Sequence, residues 1–314
     1  MLYRSKGRKK MAPKHAAPFL LLFVFFAPAL SARHYPDTLL DPGHHKDVKF
    51  GNGVPARLYL PTSPPPNKKL PLVVFFHGGA FITFSAFLPP YDDYVQSIAN
   101  AGNVVALSVE YTLALERPLP AAYEDSWAAL EWVASHSSGN GPEPWLNQLV
   151  DFEKVYIAGD SAGGNIAHNL AMKHGLGSSL EGLEIDGMAL ICPFFWGSQA
   201  IGKQEPRGVI SRAPINLDWL IAVGFHSGLD DYRINPLIDP NLPKLGVKKA
   251  LVITANQDPL RDRGFYYYQA LRSDGWKGDA QYLEYNGWHD FQLVIPSEGA
   301  QNMLQQLSKF FNSE

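Results

Sequence analysis

The stretch Val155-Tyr-Ile-Ala-Gly-Asp160-Ser161-Ala-Gly-Gly-Asn165-Ile-Ala-His-Asn-Leu-Ala-Met172 decides the fold class. A β-rich run leads into Gly-x-Ser-x-Gly, and a helical pattern leaves it. That order predicts a strand, a sharp turn and a helix, with Ser161 at the apex. Gly159 and Gly163 give the turn room, and so raise the Ser161 hydroxyl clear of the backbone. The helix that follows aims its N-terminal dipole and the Ala162 N–H at any negative charge forming near Ser161.

Outward from this turn, short apolar strands alternate with helical stretches. The strands expected are Ala56–Leu60, Leu72–Phe76, Val104–Val109, Val155–Ala158, Gly187–Cys192, Ala250–Thr254 and Gln281–Tyr285. Helices are expected at Tyr91–Ala101, Ala121–Ser135, Gly164–His174, Arg261–Ser273 and Gly299–Phe311. Runs such as Leu72-Val-Val-Phe-Phe76 are apolar throughout, as in a sheet covered on both faces. The expectation is an α/β fold with a mainly parallel central sheet flanked by helices. Pro64-Pro65-Pro66 reads as a hairpin-like join of the first two strands. Residues 197–240, with scattered Pro and Gly and the aromatics Trp219 and Phe225, read as a lid inserted over the active face of a single domain spanning 33–314.

A serine hydroxyl needs a base beside it, and the base needs a partner that fixes its tautomer. After Ala250–Ala255 comes Asn256-Gln-Asp258-Pro, and after Gln281–Tyr285 comes Asn286-Gly-Trp-His289. Asp258 and His289 each stand a few residues beyond a strand end, in the chain order serine, acid, histidine. Their rivals are weaker. Asp262 is expected to face outward or to pair with Arg261 or Arg263, and Asp290 cannot easily reach Nδ1 of its own neighbour. His44, His45, His168 and His174 fit surface or packing positions. Upstream, Phe75-Phe-His77-Gly78-Gly79-Ala80-Phe81 follows a strand, and its glycines let the backbone curl. Gly78 and Gly79 are the expected oxyanion donors together with Ala162, and His77 the brace of their loop. No His, Cys or Asp grouping has metal-ligand spacing, so no metal or cofactor is expected. Aromatics such as Phe81, Phe84, Phe87, Trp196 and Trp219 are candidates for the pocket wall.

The chain has 314 residues, a net charge of −3 and 18 % charged residues, with no basic field in its body. Nucleic-acid binding is not expected from such a balance. The first 32 residues differ. Arg4, Lys6, Arg8, Lys9, Lys10 and Lys14 precede the apolar run Phe19–Leu30, which ends in Ser31-Ala32. This reads as a secretory signal or anchor, with Met11 an alternative start, and is shorter than the ~20 apolar residues of a spanning helix. Without those six basic residues the rest carries 21 Lys and Arg against 30 Asp and Glu. The lone Cys192 and the absence of an Asn-x-Ser/Thr sequon point the other way, to a chain that does not stay in an oxidising compartment. Localisation is therefore open between the secretory pathway and the cytoplasm, and oligomeric state is not legible.

Further motifs carry a resemblance over about residues 46–311. They are Lys46-Asp-Val48 with Ala56-Arg-Leu-Tyr-Leu-Pro61, the His-Gly-Gly loop, and Pro118-Leu-Pro-Ala-Ala-Tyr-Glu-Asp125-Ser-Trp127. The Gly-Asp-Ser-Ala-Gly-Gly-Asn-Ile turn, Cys192-Pro-Phe-Phe-Trp-Gly197, Ile234-Asn-Pro236, Asp258-Pro-Leu-Arg-Asp-Arg-Gly264 and Ser273-Asp-Gly-Trp-Lys-Gly278 complete them. Together they resemble the plant carboxylesterase family of α/β-hydrolases, the branch related to hormone-sensitive lipase. The resemblance implies a serine esterase acting on a small ester through Ser161, His289 and Asp258. It also brings two alternatives from the same family. Gibberellin receptors look like these esterases but lack the catalytic histidine, which is present here as His289. 2-Hydroxyisoflavanone dehydratases use a similar site for elimination. The chain departs from the family pattern at Tyr111-Thr-Leu-Ala-Leu-Glu-Arg117, at Ala80, and at its signal-like start, so substrate preference does not follow from the resemblance.

Overall fold

In a computed structural model the described residues are 44–313, apart from 52, 274 and 294–296. The signal-like segment 1–32 lies outside them. None of the described helices is long and apolar enough to cross a membrane.

Eight strands form one sheet: β1 His45–Lys49, β2 Pro55–Tyr59, β3 Leu70–Phe76, β4 Val105–Val109, β5 Val150–Asp160, β6 Gly187–Ile191, β7 Lys249–Ala255 and β8 Asp279–Tyr285. Their order is β1-β2-β4-β3-β5-β6-β7-β8. The pairs β1–β2 and β2–β4 are antiparallel and all the others parallel. Among the described residues the α-helices are α1 Pro89–Gly102, α2 Ala121–Ala134, α3 Pro144–Leu149, α4 Ala162–Gly175, α5 Val209–Ala222, α6 Arg261–Ser273 and α7 Glu298–Asn312.

The period of two along β3 sorts its side chains between two cores. Leu72, Val74 and Phe76 join Leu130 and Val133 of α2 and Ile166 and Leu170 of α4 on one face. Val73 and Phe75 join Val95 and Ile98 of α1 and Met303, Leu307 and Phe310 of α7 on the other. Each such side chain removed from water contributes ~1.5–3 kcal/mol, so the twice-covered strands anchor the sheet. Helix ends follow local chemistry. Ser297 caps α7 by accepting the Ala300 N–H at 3.1 Å, and Pro89 and Pro90 open α1 where no backbone donor is needed.

Three differences from the sequence reading have physical causes. Pro64-Pro65-Pro66 does not join a hairpin. β4 lies between β2 and β3 in the sheet, so this segment crosses to a strand that is not a neighbour. The actual antiparallel hairpin is β1–β2, and β1 (HKDVK) escaped notice because it is short and largely polar. The segment 197–240 is not irregular throughout, since α5 runs through it with Pro214 inside the helix. A proline there removes one helical hydrogen bond and hides the helix from pattern reading. On α5, Ile215, Trp219 and Ala222 are buried, and Trp219 meets Phe81 edge-on at 6.4 Å.

Candidate active site

The elbow is built as its glycines require. Ser161 lies between β5 and α4 with φ 51° and ψ −115°, a strained conformation for a residue with a Cβ. A Cβ on Gly163 would run into Phe76 O, and one on Gly159 would come within 2.6 Å of the same atom. The turn is then pinned by hydrogen bonds. Ser161 N–H donates to Ile191 O at 2.9 Å, and Ser161 O accepts from Asn165 and Phe194 at 3.1 and 2.8 Å.

Three side chains that lie far apart in sequence converge there. His289 Nε2 lies 2.9 Å from Ser161 Oγ, and His289 Nδ1 lies 2.8 Å from Asp258 Oδ2. Asp258 is 1 % exposed, and its Oδ1 accepts the Leu260 N–H at 2.8 Å. With a carboxylate at Nδ1, the proton of the neutral ring sits on that nitrogen and leaves Nε2 as an acceptor for the serine hydroxyl. Burial works against a charged His289, but Asp258 and then Asp290 outweigh it and hold the ring well above the usual imidazole range.

The loop expected to hold the oxyanion has backbone to match, with φ 106° at Gly79, 55° at Ala80 and 65° at Phe81. His77 braces it. Its Nδ1–H donates to Gly78 O at 2.7 Å, its ring stacks on Tyr111 at 4.2 Å, and Tyr111 donates its hydroxyl to His77 O at 2.7 Å. Burial pulls His77 down to about 4, so the ring is neutral. Gly78 requires a correction. Its N–H donates to Tyr91 Oη at 3.0 Å and is not free for a substrate oxygen. The amides of Gly79, Ala80 and Ala162 have no protein acceptor among the described residues. Gly78 is needed for space instead, since a Cβ there would lie 2.6 Å from Asp160 Oδ2 and 2.9 Å from Tyr91 Oη.

Asp160, beside the serine, is fully buried, and its Oδ2 accepts the Tyr91 hydroxyl at 2.8 Å. Nothing in the sequence linked Tyr91 to the site, because its partner is 69 residues away. The rivals fall where other roles hold them. Asp262 pairs with Arg261 at 3.0 Å as expected but is buried, and its Oδ2 accepts the Lys203 and Gln204 amides at 2.7 and 2.6 Å. Asp290 misses Nδ1 but lies 3.2 Å from His289 Nε2. His168 is buried against Tyr267, 2.9 Å from its hydroxyl. Sequence spacing did not reveal that single ligand atoms of Cys192, His289 and Asp290 come within 4.8 Å of one another. Burial pushes the Cys192 thiol up to about 12. Of the pocket candidates, Phe81, Trp196 and Trp219 are fully buried, while Phe84 is open to solvent.

Comparison with known proteins places the chain. The family profile described as the α/β hydrolase fold matches residues 73–293. A 2-hydroxyisoflavanone dehydratase of Glycyrrhiza echinata is 41 % identical over 275 residues, covering 84 % of each chain. The probable carboxylesterase 7 of Arabidopsis thaliana is 39 % identical over 259 residues, covering 82 % of each. Among solved structures, the hyperthermophilic esterase of the archaeon Pyrobaculum calidifontis superposes with a TM-score of 0.65 at 30 % identity over 86 % of each chain. The chain belongs to the α/β-hydrolase family, in the carboxylesterase-like branch shared by plant carboxylesterases and 2-hydroxyisoflavanone dehydratases.

Proposed function

We propose that the protein is a serine carboxylesterase of small esters, working through Ser161, His289 and Asp258. The observation that carries this is His289, whose Nε2 stands 2.9 Å from Ser161 Oγ while Nδ1 stands 2.8 Å from Asp258. Ser161 attacks the ester carbonyl as His289 takes its proton. The charge that develops on the carbonyl oxygen is met by the Gly79, Ala80 and Ala162 amides. His289 then gives its proton to the leaving alcohol, and water repeats the sequence on the acyl-enzyme. Residues 197–240 cover the site in this reading, an arrangement supported by Asn165 and Asn169 of α4 donating to Arg233 O at 2.7 and 2.9 Å.

The test is hydrolysis of p-nitrophenyl acetate and butyrate by the full chain and by Ser161→Ala, with fluorophosphonate labelling alongside. Turnover and labelling that both vanish in the variant are expected. Equal turnover by the variant would sink the reading. The dehydratase relative of Glycyrrhiza echinata supports a second reading, in which His289 draws a proton from carbon and water is eliminated. Labelling without ester turnover, together with water loss from a 2-hydroxyisoflavanone, would select it.

A further inference from the structure

The mechanism above uses one carboxylate, Asp258, on the Nδ1 side of His289. A second stands on the other side. Asp290 Oδ2 lies 3.2 Å from Nε2, the nitrogen that faces Ser161 Oγ. The backbone at Asp290 is left-handed, with φ 53°, a conformation that costs any residue with a Cβ. In that turn the carboxyl lies against its own neighbour's distal nitrogen, and Gln292 Nε2 donates to its Oδ1 at 3.3 Å.

Asp160 lies close to this carboxyl. One oxygen of Asp160 accepts the Tyr91 hydroxyl, which in turn accepts the Gly78 N–H. Its other oxygen is buried and has no hydrogen-bond partner among the described residues. Two ionised carboxylates cannot share so dry a place, so one keeps a proton. Burial and then the Asp290 charge hold Asp160 well above the carboxylate range. Burial also pushes Asp290 up, but the neighbouring His289 favours its ionised form. The titratable groups facing Asp290 are His289, Asp258, Asp160, Tyr91, Tyr94 and Cys192. Burial raises both phenols and the thiol, so among the described residues His289 supplies the positive charge there.

We propose that Asp290 is a positioning residue for His289: it braces the imidazole from the Nε2 side, beside the buried Asp160 that Tyr91 joins to Gly78 of the oxyanion loop. The inference rests on the serine-hydrolase reading. When Ser161 gives its proton to Nε2, the new N–H has Asp290 to face until the leaving oxygen takes the proton. Asp290 accepts a hydrogen bond and takes no proton itself. It stabilises the imidazolium, and in the free enzyme it delays the neutral base to higher pH.

The experiment follows fluorophosphonate labelling and p-nitrophenyl butyrate kcat/KM against pH for the full chain, Asp290→Asn and Asp160→Asn. In Asp290→Asn the acid limb moves down, so the labelling rate at about pH 6 relative to about pH 8.5 rises about threefold or more. Asp160→Asn keeps a donor for Asp290 and an acceptor for Tyr91, and it keeps the wild-type acid limb. An Asp290→Asn limb that coincides with wild type overturns the proposal while leaving the serine reading intact. A downward shift in Asp160→Asn shows that Asp160 carried charge, and overturns the proton assignment. Absence of labelling in the wild type removes the serine reading itself. Should Asp290→Asn fail to fold, Asp290→Ser gives the same comparison.

Discussion

Glu110 Oε2 accepts the Ala86 N–H at 2.6 Å, so the residue after β4 holds the loop that runs on from Gly79. Burial pushes this carboxyl up to about 7 from its usual 4.5. A folded-state value above the unfolded one means stability that is full below about 4.5 and lost as pH rises through about 7. Glu110→Gln keeps an acceptor for Ala86 and has no charge to bury. Its Tm is expected to fall less than that of the wild type between about pH 5 and pH 8. Equal falls in thermal unfolding would remove Glu110 as the source.

Asp258→Asn tests the orienting role proposed for Asp258. An amide at Nδ1 no longer selects the tautomer that leaves Nε2 free, so kcat should drop by about 10²–10⁴. Stopped assays on p-nitrophenyl butyrate, with Tm as a check on folding, would read this. A drop below about tenfold would remove Asp258 from the triad.

The two carboxylates around His289 set a pH dependence. They raise the ring above its usual 6.5, and the proposed mechanism needs the neutral ring. Activity should therefore climb through a pH above that of a free imidazole, giving an alkaline optimum. A kcat/KM profile with its acid limb at or below the free imidazole value would contradict this.

Glu205 is buried between two arginines, 2.5 Å from Arg212 Nη1 and 3.0 Å from Arg263 Nε. Arg212 also reaches Gly197 O, and Arg263 reaches Trp196 O and Asn235. The cluster ties the start of 197–240 to α6. Glu205→Ala strands two buried guanidinium groups, and chemical denaturation should show a loss of about 3–5 kcal/mol. A loss under about 1 kcal/mol would mean that water reaches the cluster.

The residues of the elbow were legible because their signal is local. Gly159, Ser161 and Gly163 sit within one turn, and the strand before and the helix after have different periods. Asp258 and His289 could be chosen because each follows a strand end in a fixed order. Gly78 was misassigned because an amide's freedom depends on what lies across from it, and Tyr91 is 13 residues away. Adjacency in sequence keeps Asp290 from Nδ1 of His289, but the left-handed turn that takes it to Nε2 is not written in residue type.

The sequence by itself determined the strand–helix alternation, the position of the serine turn and the candidates for acid and base, since these rest on local periodicity and on glycines at fixed offsets. Only the tertiary structure decided which strands are neighbours, which amides are free and which carboxyls stand beside His289. Those facts depend on groups tens of residues apart meeting in a dry interior. There, burial and a few ångströms of separation set charge and hydrogen bonding.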